Sequence, residues 1–265
     1  MSVVLFWKKA VLGIGKRMLD FVCPPTCLSC GADIMAGGVL CSSCFASLRF
    51  IAKPFCARCG EPFALPALGF GTGVCARCRE VPPLWGRACA ALIYDDAARR
   101  LIFPLKYADR SSYARRLAQF MVRAGRDILN EPSYLIPVPL HRQKLRQRRY
   151  NQAALLARCI GKESGMPVII DGLLRQRHTR PLAHLTIAER RDELHDVFQV
   201  KELYSDVLRG KKIVLIDDIL TTGATAEACT RALLAVGCQS VDVLVMARAC
   251  AGDVDIAVGY MYAKD

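Results

Sequence analysis

The sequence lacks any long run of apolar residues. A membrane-spanning helix needs about 20 predominantly apolar residues in a row, and residues 62–76, among the longest stretches without a charged side chain, are rich in glycine and proline. The apolar start at residues 3–7 is followed at once by Lys8 and Lys9, so it does not have the composition of a secretory signal. These absences predict a cytoplasmic protein without a membrane span.

Acidic residues are scarce relative to basic ones. The chain has 24 aspartates and glutamates against 37 lysines and arginines, which gives a formal net charge of +13. Hydrophobic residues make up 53% of the sequence, so intrinsic disorder is excluded and a folded core is expected. The excess of positive charge favours anionic ligands, either phosphate-bearing small molecules or nucleic acid.

Cysteine is abundant, and most of it lies near the start of the chain. Nine of the 14 cysteines come before residue 80, and in a reducing cytoplasm closely spaced cysteines indicate a metal more often than a disulfide. Four Cys-x2-Cys pairs follow one another, namely Cys27/Cys30, Cys41/Cys44, Cys56/Cys59 and Cys75/Cys78. Two such pairs complete a closed tetrahedral site, so the eight thiolates predict two structural Zn²⁺ sites.

Two pairings of these motifs remain open at the level of sequence. Consecutive ribbons would join the first pair to the second and the third to the fourth, whereas an interleaved arrangement would join the first to the third. The loops between consecutive pairs are long enough for separate hairpins, which favours consecutive ribbons.

The composition along the chain predicts three parts. Residues 1–22 have the pattern of a basic amphipathic helix, either docked on the rest of the protein or acting as a peripheral membrane anchor. Residues 23–84 form the cysteine-rich double zinc ribbon and end in a Pro-Pro break. Residues 85–265 form the main domain.

The main domain alternates strands with helices. Strands are predicted at residues 88–94, 134–140, 167–170, 213–217 and 241–247. Helices are predicted at 96–107, with an interruption near Pro104, and at 111–129, 151–164, 187–195 and 225–236. This alternation predicts an α/β fold with a mostly parallel sheet and helices on both faces. Ligands of such sheets bind at the carboxyl ends of the strands.

The segment with the clearest chemistry is residues 214–225, which read Val-Leu-Ile-Asp-Asp-Ile-Leu-Thr-Thr-Gly-Ala-Thr. An apolar strand ends in two carboxylates and leads through a hydroxyl- and glycine-bearing turn into a helix. Backbone N–H groups at a helix N-terminus bind phosphate, so the turn predicts an anion site made by Thr221, Thr222, Gly223, Ala224 and Thr225. Asp217 and Asp218 would repel phosphate but suit sugar hydroxyls, and together these features predict a ribose 5-phosphate ligand.

This segment resembles the phosphoribosyl diphosphate (PRPP) signature of type I phosphoribosyltransferases. Further motifs resemble the ComF/GntX-like family, which pairs a double zinc ribbon with a phosphoribosyltransferase-type domain. They are Leu105-Lys106-Tyr107, Pro137-Val138-Pro139-Leu140-His141-Arg142, Arg149-Tyr150-Asn151-Gln152, Thr179-Arg180-Pro181 and Glu189-Arg190-Arg191. The resemblance implies that Asp217 and Asp218 hold the ribose hydroxyls, that residues 221–225 hold the 5-phosphate, and that Mg²⁺ binds together with PRPP.

A basic segment follows the predicted strand at 134–140. Residues 141–150 carry five lysines or arginines and no acid, and their place as a loop at a strand's carboxyl end predicts a diphosphate loop with His141, Arg142 and Lys144. The competing interpretation is a nucleic-acid patch, because cationic side chains and an aromatic ring suit a single strand. That patch would consist of Arg146, Arg148, Arg149 and Tyr150.

Two main functions follow from the motifs and the resemblance. The first is a phosphoribosyltransferase that uses PRPP and Mg²⁺, moves the phosphoribosyl group to an unknown acceptor and releases diphosphate. The second, implied by the family's link to competence and DNA utilisation, is a non-catalytic accessory protein that senses PRPP or handles single-stranded DNA, with DNA or a DNA-uptake helicase as its partner. A regulator of nucleotide metabolism is a third, weaker option.

Overall fold

The computed structural model describes residues 26–34, 39–65, 69, 71–106, 111–131, 133–177 and 196–250. The predicted helices over residues 1–22 and 187–195 lie outside the described residues. The chain divides into two compact units between Leu48 and Arg49. The predicted boundary between a zinc module and a main domain at residues 84 and 85 stays a prediction.

The first unit contains one of the cysteine clusters. Its described residues form a short helix, α1 (Ser42–Ala46), directly after Cys41, and an isolated antiparallel bridge between Thr26 and Asp33. So little regular structure buries few apolar side chains, which is typical of a module that a metal stabilises.

The second unit contains all the described strands. In chain order they are β1 (Ala88–Ile93), β2 (Tyr134–Pro137), β3 (Leu173–Arg175), β4 (Phe198–Val200), β5 (Lys212–Leu220) and β6 (Ser240–Arg248). Four of them form a fully parallel sheet in the order β1-β6-β5-β2, and β3 pairs with β4 as an antiparallel hairpin. The predicted parallel sheet is therefore confirmed, with β5 and β6 at its centre.

Helices connect these strands, as the α/β pattern predicts. Those of the second unit are α2 (Ala76–Glu80), α3 (Asp96–Ile102), α4 (Ser111–Ala124), α5 (Arg126–Leu129), α6 (Arg142–Arg148), α7 (Gln152–Ser164), α8 (Glu202–Leu208) and α9 (Ala224–Ala235), with a 3₁₀ turn at Phe103–Lys106. Successive side chains of β6 point to opposite faces of the sheet, and both faces are buried. Leu244 packs near Gly125 on one face, whereas Val243 shares a core cluster with Leu233 of α9.

The structure differs from the sequence predictions at several elements. Residues 167–170 make only a single parallel bridge, Val168 to Leu135, and the helix predicted over 111–129 is interrupted at Gly125. A Cβ at Gly125 would come within 2.8 Å of Leu244, so the close approach to the sheet explains the glycine and the break. The hairpin of β3 and β4 and helix α8 were not predicted.

A further difference concerns the basic segment, which is a helix and not a loop. Its residues are mostly Gln, Lys, Arg and Leu, which have high helix propensity. The helix α6 starts after His141, whose Nδ1 accepts a hydrogen bond from the Gln143 backbone N–H at 3.3 Å. It ends at Arg149, which takes a left-handed conformation with a φ of 64°.

Within the described part of the chain, no helix is both long and apolar enough to cross a membrane.

Candidate functional site

A cavity opens at the carboxyl ends of β2 and β5, where a parallel sheet places its ligands. Its volume is about 170 Å³. The polar residues that line it come from β5, the turn after it, helices α6 and α7, and the segments around residues 106 and 175. They are Lys106, Lys144, Arg148, Asn151, Gln152, Arg175, Asp217, Asp218, Thr221, Thr222 and Thr225. The structure therefore brings the predicted carboxylates, the predicted phosphate turn and part of the basic segment together.

The turn after β5 presents an open helix N-terminus to this cavity. Gly223 is the N-cap of α9, with a φ of 87° and no side-chain capping hydrogen bond. The Thr222 hydroxyl accepts a long hydrogen bond of 3.5 Å from the Ala224 backbone N–H. Backbone N–H groups in the first turn of a helix have no intrahelical acceptor, and the helix dipole adds partial positive charge there. The arrangement suits a phosphate group.

Both the positive φ at residue 223 and the nearby ring of Trp85 require a glycine there. A Cβ on this residue would lie 2.6 Å from Cη2 of Trp85, which is a severe overlap. The ring of Trp85 is buried and belongs to the core cluster on the α9 side of the sheet. The turn is therefore shaped by tertiary packing against an indole ring.

The two carboxylates of the site are electrostatically strained. Burial raises the pKa of Asp217 well above its usual value, and the neighbouring charge of Asp218 raises it further. The Asp218 backbone N–H donates to Asp217 Oδ1 at 2.9 Å, and the ammonium of Lys106 partly opposes the shift in the pKa of Asp217. One backbone N–H and one nearby ammonium offset little of the repulsion between the two carboxylates. Such a pair favours a bound cation, a shared proton or hydroxyl donors from a ligand.

The pair also influences groups on both sides of the sheet, because adjacent strand residues point to opposite faces. Burial raises the pKa of Cys229 in α9, and the charge of Asp217 adds to this effect. Burial raises the pKa of Tyr94 to about 12, with a further contribution from Asp218. The two carboxylates thus affect opposite faces while both line the cavity.

Four cationic side chains line the same cavity as this pair. Lys144 and Arg148 come from the predicted basic segment, whereas Lys106 and Arg175 were not among the predicted site residues. Lys106 is only 7% exposed, and a buried lysine is rare unless a charge or ligand compensates it. Its place in the Leu105-Lys106-Tyr107 motif was the sequence signal that could have identified it.

Helix α6 separates the basic segment into two faces. Lys144 and Arg148, four residues apart, are half-buried and line the cavity. Arg142, Arg146 and Arg149 are exposed. Residues at i and i+4 share one face of a helix, so the helical conformation explains why adjacent basic residues have different surroundings.

The remaining predicted residues of this segment have structural contacts. His141 caps α6, and the Tyr150 hydroxyl donates to the Leu105 carbonyl at 2.5 Å. Asn151 caps α7 by accepting from the Ala153 backbone N–H at 3.0 Å, and its amide donates to the Val138 carbonyl at 2.9 Å. These bonds hold the base of α6 beside the ends of β2 and the 3₁₀ turn. The predicted ligand roles of His141, Arg142 and Tyr150 stay predictions.

The eight predicted metal ligands form two separate clusters with consecutive pairing. One cluster is Cys27, Cys30, Cys41 and Cys44 in the first unit, and the other is Cys56, Cys59, Cys75 and Cys78 in the second. Within each cluster all Sγ atoms lie within 4.8 Å of one another.

The sulfur spacing matches a tetrahedral metal site. The Sγ atoms of Cys30 and Cys41 are 3.8 Å apart, as are those of Cys59 and Cys75. A zinc ion with Zn–S bonds of about 2.3 Å places its sulfurs about 3.8 Å apart. Gly31 and Gly60, each directly after the second cysteine of a pair, have φ values of 76° and 72°. Both clusters fit a double zinc ribbon.

Thiols this close together share protons unequally. A hydrogen bond from Cys59 lowers the pKa of Cys56 to about 4, whereas the same interaction raises the pKa of Cys59. In the first cluster a hydrogen bond with the Ser43 hydroxyl lowers the pKa of Cys41 to about 6. The hydrogen bond between Cys44 and Cys41 raises the pKa of Cys44 to about 12. A lowered thiol pKa favours the thiolate, which is the form that binds a metal.

Comparison with known proteins agrees with this architecture. A family model described as a double zinc ribbon domain matches residues 18–79, and one described as a phosphoribosyl transferase domain matches residues 167–260. DNA utilization protein YhgH of Salmonella typhimurium is 30% identical over 214 residues, which cover 79% of this chain and 90% of that protein. Competence protein F of Haemophilus influenzae is 27% identical over 229 residues, which cover 84% of this chain and 96% of that protein.

The chain belongs to the ComF/GntX-like family. Competence protein ComFC of Bacillus subtilis is also similar, with 26% identity over 75% of this chain and 79% of that protein. The double zinc ribbon match spans both cysteine clusters, and the phosphoribosyl transferase match spans β5, the turn at residues 221–225 and α9. The family's two hallmark elements are therefore both present in this member.

Solved structures resemble this family member in fold alone. Glutamine PRPP amidotransferase from Bacillus subtilis is 18% identical with a TM-score of 0.37, covering 54% of this chain and 30% of that chain. Adenine phosphoribosyltransferase from Leishmania donovani is 18% identical with a TM-score of 0.35, covering 69% of this chain and 78% of that chain. Both structural similarities are low.

Proposed function

We propose that this ComF/GntX-like protein binds PRPP in the cavity at the end of β5. The observation that carries the proposal is that an open helix N-terminus at Gly223 and the carboxylate pair Asp217 and Asp218 share one cavity. In the proposed pose the N–H groups and hydroxyls of residues 221–225 bind the 5-phosphate, and the carboxylates accept hydrogen bonds from the ribose 2′ and 3′ hydroxyls.

The cationic side of the cavity is proposed to bind the diphosphate. Lys144 and Arg148 project from α6 toward the cavity, and Lys106 and Arg175 complete a group of four positive charges against two carboxylates. Charge-assisted hydrogen bonds from Lys and Arg to phosphate oxygens are shorter and stronger than neutral ones. A ligand with an anionic group at each end and a diol between them matches this charge distribution.

Mg²⁺ is proposed to bind together with PRPP. Carboxylate oxygens are ligands that Mg²⁺ accepts, usually beside substrate phosphates, and both carboxylates line the cavity. When bound, the ion would neutralise charge on the diphosphate. The residues that would hold it are Asp217 and Asp218.

Transfer of the phosphoribosyl group is the finer part of the proposal. In that reaction the bond from the anomeric carbon to the diphosphate oxygen breaks, and an acceptor nucleophile bonds to the opposite face of that carbon. The chain's contribution would be electrostatic, with Lys144 and Arg148 stabilising the charge that develops on the leaving diphosphate. A protein that binds PRPP without turning it over is the sensor alternative.

Titration calorimetry of PRPP with and without Mg²⁺ tests binding. Lys144→Gln with Arg148→Gln should weaken PRPP binding by about one to three orders of magnitude, because two charge-assisted contacts of about 1.5–3 kcal/mol are lost or reduced. The matched control is Arg146→Gln in the same helix with Arg149→Gln at its C-terminal end, which removes two exposed charges. Equal losses in both variants would contradict the assignment of the cavity face.

A diphosphate-release assay with a panel of nucleobases then separates the two classes of function. Release that depends on one base identifies a transferase and its acceptor. Binding without release under any condition favours the sensor.

A second candidate function, single-stranded DNA binding, is favoured by the outer face of α6. Arg142, Arg146 and Arg149 are exposed there, and relatives at 27–30% identity are named for competence and DNA utilization. The proposal is a nonspecific contact with phosphates, whose affinity falls steeply as salt rises.

The salt dependence of binding tests this contact. Neutralising Arg142, Arg146 and Arg149 together should reduce the slope of log affinity against log salt by about two to three units, one counterion release per lost phosphate contact. The cavity variant Lys144→Gln with Arg148→Gln is the control and should keep the wild-type slope. A wild-type slope in the triple variant would place the DNA contact elsewhere.

A further inference from the structure

The second cysteine cluster is joined to the phosphate turn by hydrogen bonds. Three consecutive carbonyls of the turn between Cys56 and Cys59 accept bonds from residues of the main sheet region. The Ala88 backbone N–H donates to Ala57 O at 3.1 Å, Trp85 Nε1 donates to Arg58 O at 2.6 Å, and Arg248 Nε donates to Cys59 O at 2.9 Å. The turn that carries two metal ligands therefore has its carbonyls bound to β1, Trp85 and the end of β6.

Arg248 connects this metal-ligand turn directly with the end of β5. Its side chain is only 1% exposed, and its Nη1 donates to Leu220 O at 3.1 Å and Thr221 O at 2.5 Å, and also to Ala249 O. Its Nη2 forms an ion pair with Glu61 Oε2 at 3.0 Å. A planar guanidinium holds its donors in fixed directions, so one side chain fixes Cys59 and Thr221 relative to each other.

Trp85 makes a second, independent connection. Its indole nitrogen donates to the metal-ligand turn, as described above, and its ring lies 2.6 Å from the position that a Cβ on Gly223 would take. Arg58 returns the contact, because its Nη1 donates to Trp85 O at 3.1 Å. A displacement of the turn at Cys56 and Cys59 would move the ring that packs against the N-cap of α9.

The shape of the metal-ligand turn depends on its four thiolates. Cys56 Sγ accepts a bond from the Cys75 backbone N–H at 3.4 Å, and the four Sγ atoms lie within 4.8 Å of one another. Several thiolates at this distance repel one another unless a cation neutralises them. Loss of the metal therefore removes the constraint that holds the turn and its three carbonyls in place.

We propose that the Cys56, Cys59, Cys75 and Cys78 site positions the phosphate turn through Arg248 and Trp85, so that metal binding and anion binding are thermodynamically coupled. Arg248 and Trp85 are positioning residues in this scheme and need not touch the ligand. The anion-binding half of the coupling rests on the proposed function, whereas the effect of the metal on the turn does not.

Coupling of two sites is reciprocal. A metal that stabilises the turn raises anion affinity, and a bound anion must tighten the metal by the same factor. Couplings within proteins typically change affinity about 5- to 150-fold, and a contact through one buried arginine and one indole ring is expected in the lower part of that range, about tenfold.

Hydrogen exchange of the backbone amides tests the effect of the metal without any ligand. Cys78→Ser, which disables the second site, should speed exchange of residues 219–226 by about tenfold relative to wild type. The matched control is Cys44→Ser, which disables the site in the other unit and takes no part in the Arg248 and Trp85 contacts. Equal exchange at residues 219–226 in Cys78→Ser and wild type would overturn the proposal.

A milder variant distinguishes a local effect on the turn from general unfolding. Trp85→Phe keeps a ring beside Gly223 but removes the donor to Arg58 O. It should speed exchange at residues 219–226 while leaving α7 protected as in wild type, and unchanged exchange at the turn would contradict a positioning role for Trp85. Arg248→Lys is expected to behave like the loss of the metal, because an ammonium cannot reproduce the fork that joins Cys59 O to Thr221 O.

Competition for zinc with a chromogenic chelator, measured at equilibrium, tests the reciprocal effect. The Cys44→Ser protein keeps only the second site, and saturating PRPP should raise its affinity for zinc by about tenfold. The Cys78→Ser protein keeps only the first site, and its affinity for zinc should be the same with and without PRPP. If calorimetry shows PRPP bound to Cys44→Ser and the zinc affinity does not change, the coupling is wrong; if wild type binds no PRPP, the proposed function is wrong and exchange alone judges the positioning role.

Discussion

Replacing Asp217 and Asp218 by asparagine separates ribose binding from phosphate binding at the candidate site. The change keeps side-chain size but removes two negative charges and turns half of the acceptors into donors. Ribose hydroxyls then lose their best acceptors, whereas the N-terminus of α9 keeps all its N–H groups. PRPP should therefore bind more weakly to the double variant, and inorganic phosphate should bind as well as before or slightly better.

The size of the loss follows from the electrostatics of the pair. A hydrogen bond to a charged group contributes about 1.5–3 kcal/mol and a neutral one about 1 kcal/mol. Because burial raises the pKa of Asp217, its bond to the ribose counts as partly neutral, while Asp218 supplies a charge-assisted bond. The sum predicts a fall in PRPP affinity of about one to three orders of magnitude in the double variant.

The single substitution Asp217→Asn should stabilise the protein in the absence of ligand. Between the ordinary pKa of aspartate and the raised pKa of Asp217 the folded state binds more protons than the unfolded state, so the free energy of unfolding falls as pH rises through this window. Asp217→Asn removes this penalty, and its melting temperature should exceed that of wild type by a margin that grows with pH. Each kcal/mol gained corresponds to about 2–4 °C for a domain of this size.

Calorimetry with PRPP and with phosphate, together with thermal unfolding between pH 5 and pH 8 (about the range where the protein should stay folded), measures both effects. Asp206→Asn is the matched control for Asp217→Asn, because this carboxylate on α8 is 97% exposed and each of these single substitutions removes one aspartate. Equal loss of phosphate and PRPP in the double variant would refute the division of roles between the carboxylates and the turn. A melting temperature below that of wild type for Asp217→Asn would refute the electrostatic argument.

Three further predictions concern the zinc ribbon, the phosphate turn and the buried arginine. Elemental analysis of protein purified without chelator should give about two zinc ions per chain; one or none would contradict the two-site assignment. Gly223→Ala should weaken phosphate and PRPP binding alike, because its Cβ displaces Trp85 and the residue is strained at positive φ; calorimetry with unchanged affinity for both ligands would contradict the packing. Glu61→Gln should lower the free energy of unfolding by about 3–5 kcal/mol, since it leaves the charge of Arg248 buried without its partner; chemical denaturation measures this loss, and a variant as stable as wild type would show that the backbone carbonyls alone satisfy Arg248.

Features that depend on neighbouring residues could be predicted from the sequence. The Cys-x2-Cys spacing alone brings two thiolates to one ion, so the ligand set of both clusters was predicted, and the structure decided for consecutive pairing. The segment from β5 to α9 was predicted as strand, turn and helix because its apolar run, its glycine and its hydroxyls act locally. The parallel sheet followed from the alternation of apolar strands and amphipathic helices.

The conformation of the basic segment depends on the helix propensity of its residues together with contacts at its two ends. As a loop after β2, residues 141–150 would present all their charges similarly, but as helix α6 they divide into a cavity face with Lys144 and Arg148 and an exposed face. Residues 141–150 contain five cationic side chains and few apolar ones, so the segment has no apolar period that would reveal a helix. The cap from His141 and the bond from Tyr150 to Leu105 are what fix it.

The contacts that complete the site depend on residues far apart in the chain. Lys106 joins the cavity from a different connection between strands, and Arg248 bonds to Cys59, 189 residues earlier. The sequence by itself determined which residues could bind metal, phosphate and sugar, because ligand chemistry and turn conformation are local properties. Only the tertiary structure decided which cations face the ligand and which side chains hold the phosphate turn, because burial and guanidinium geometry arise when distant segments pack together.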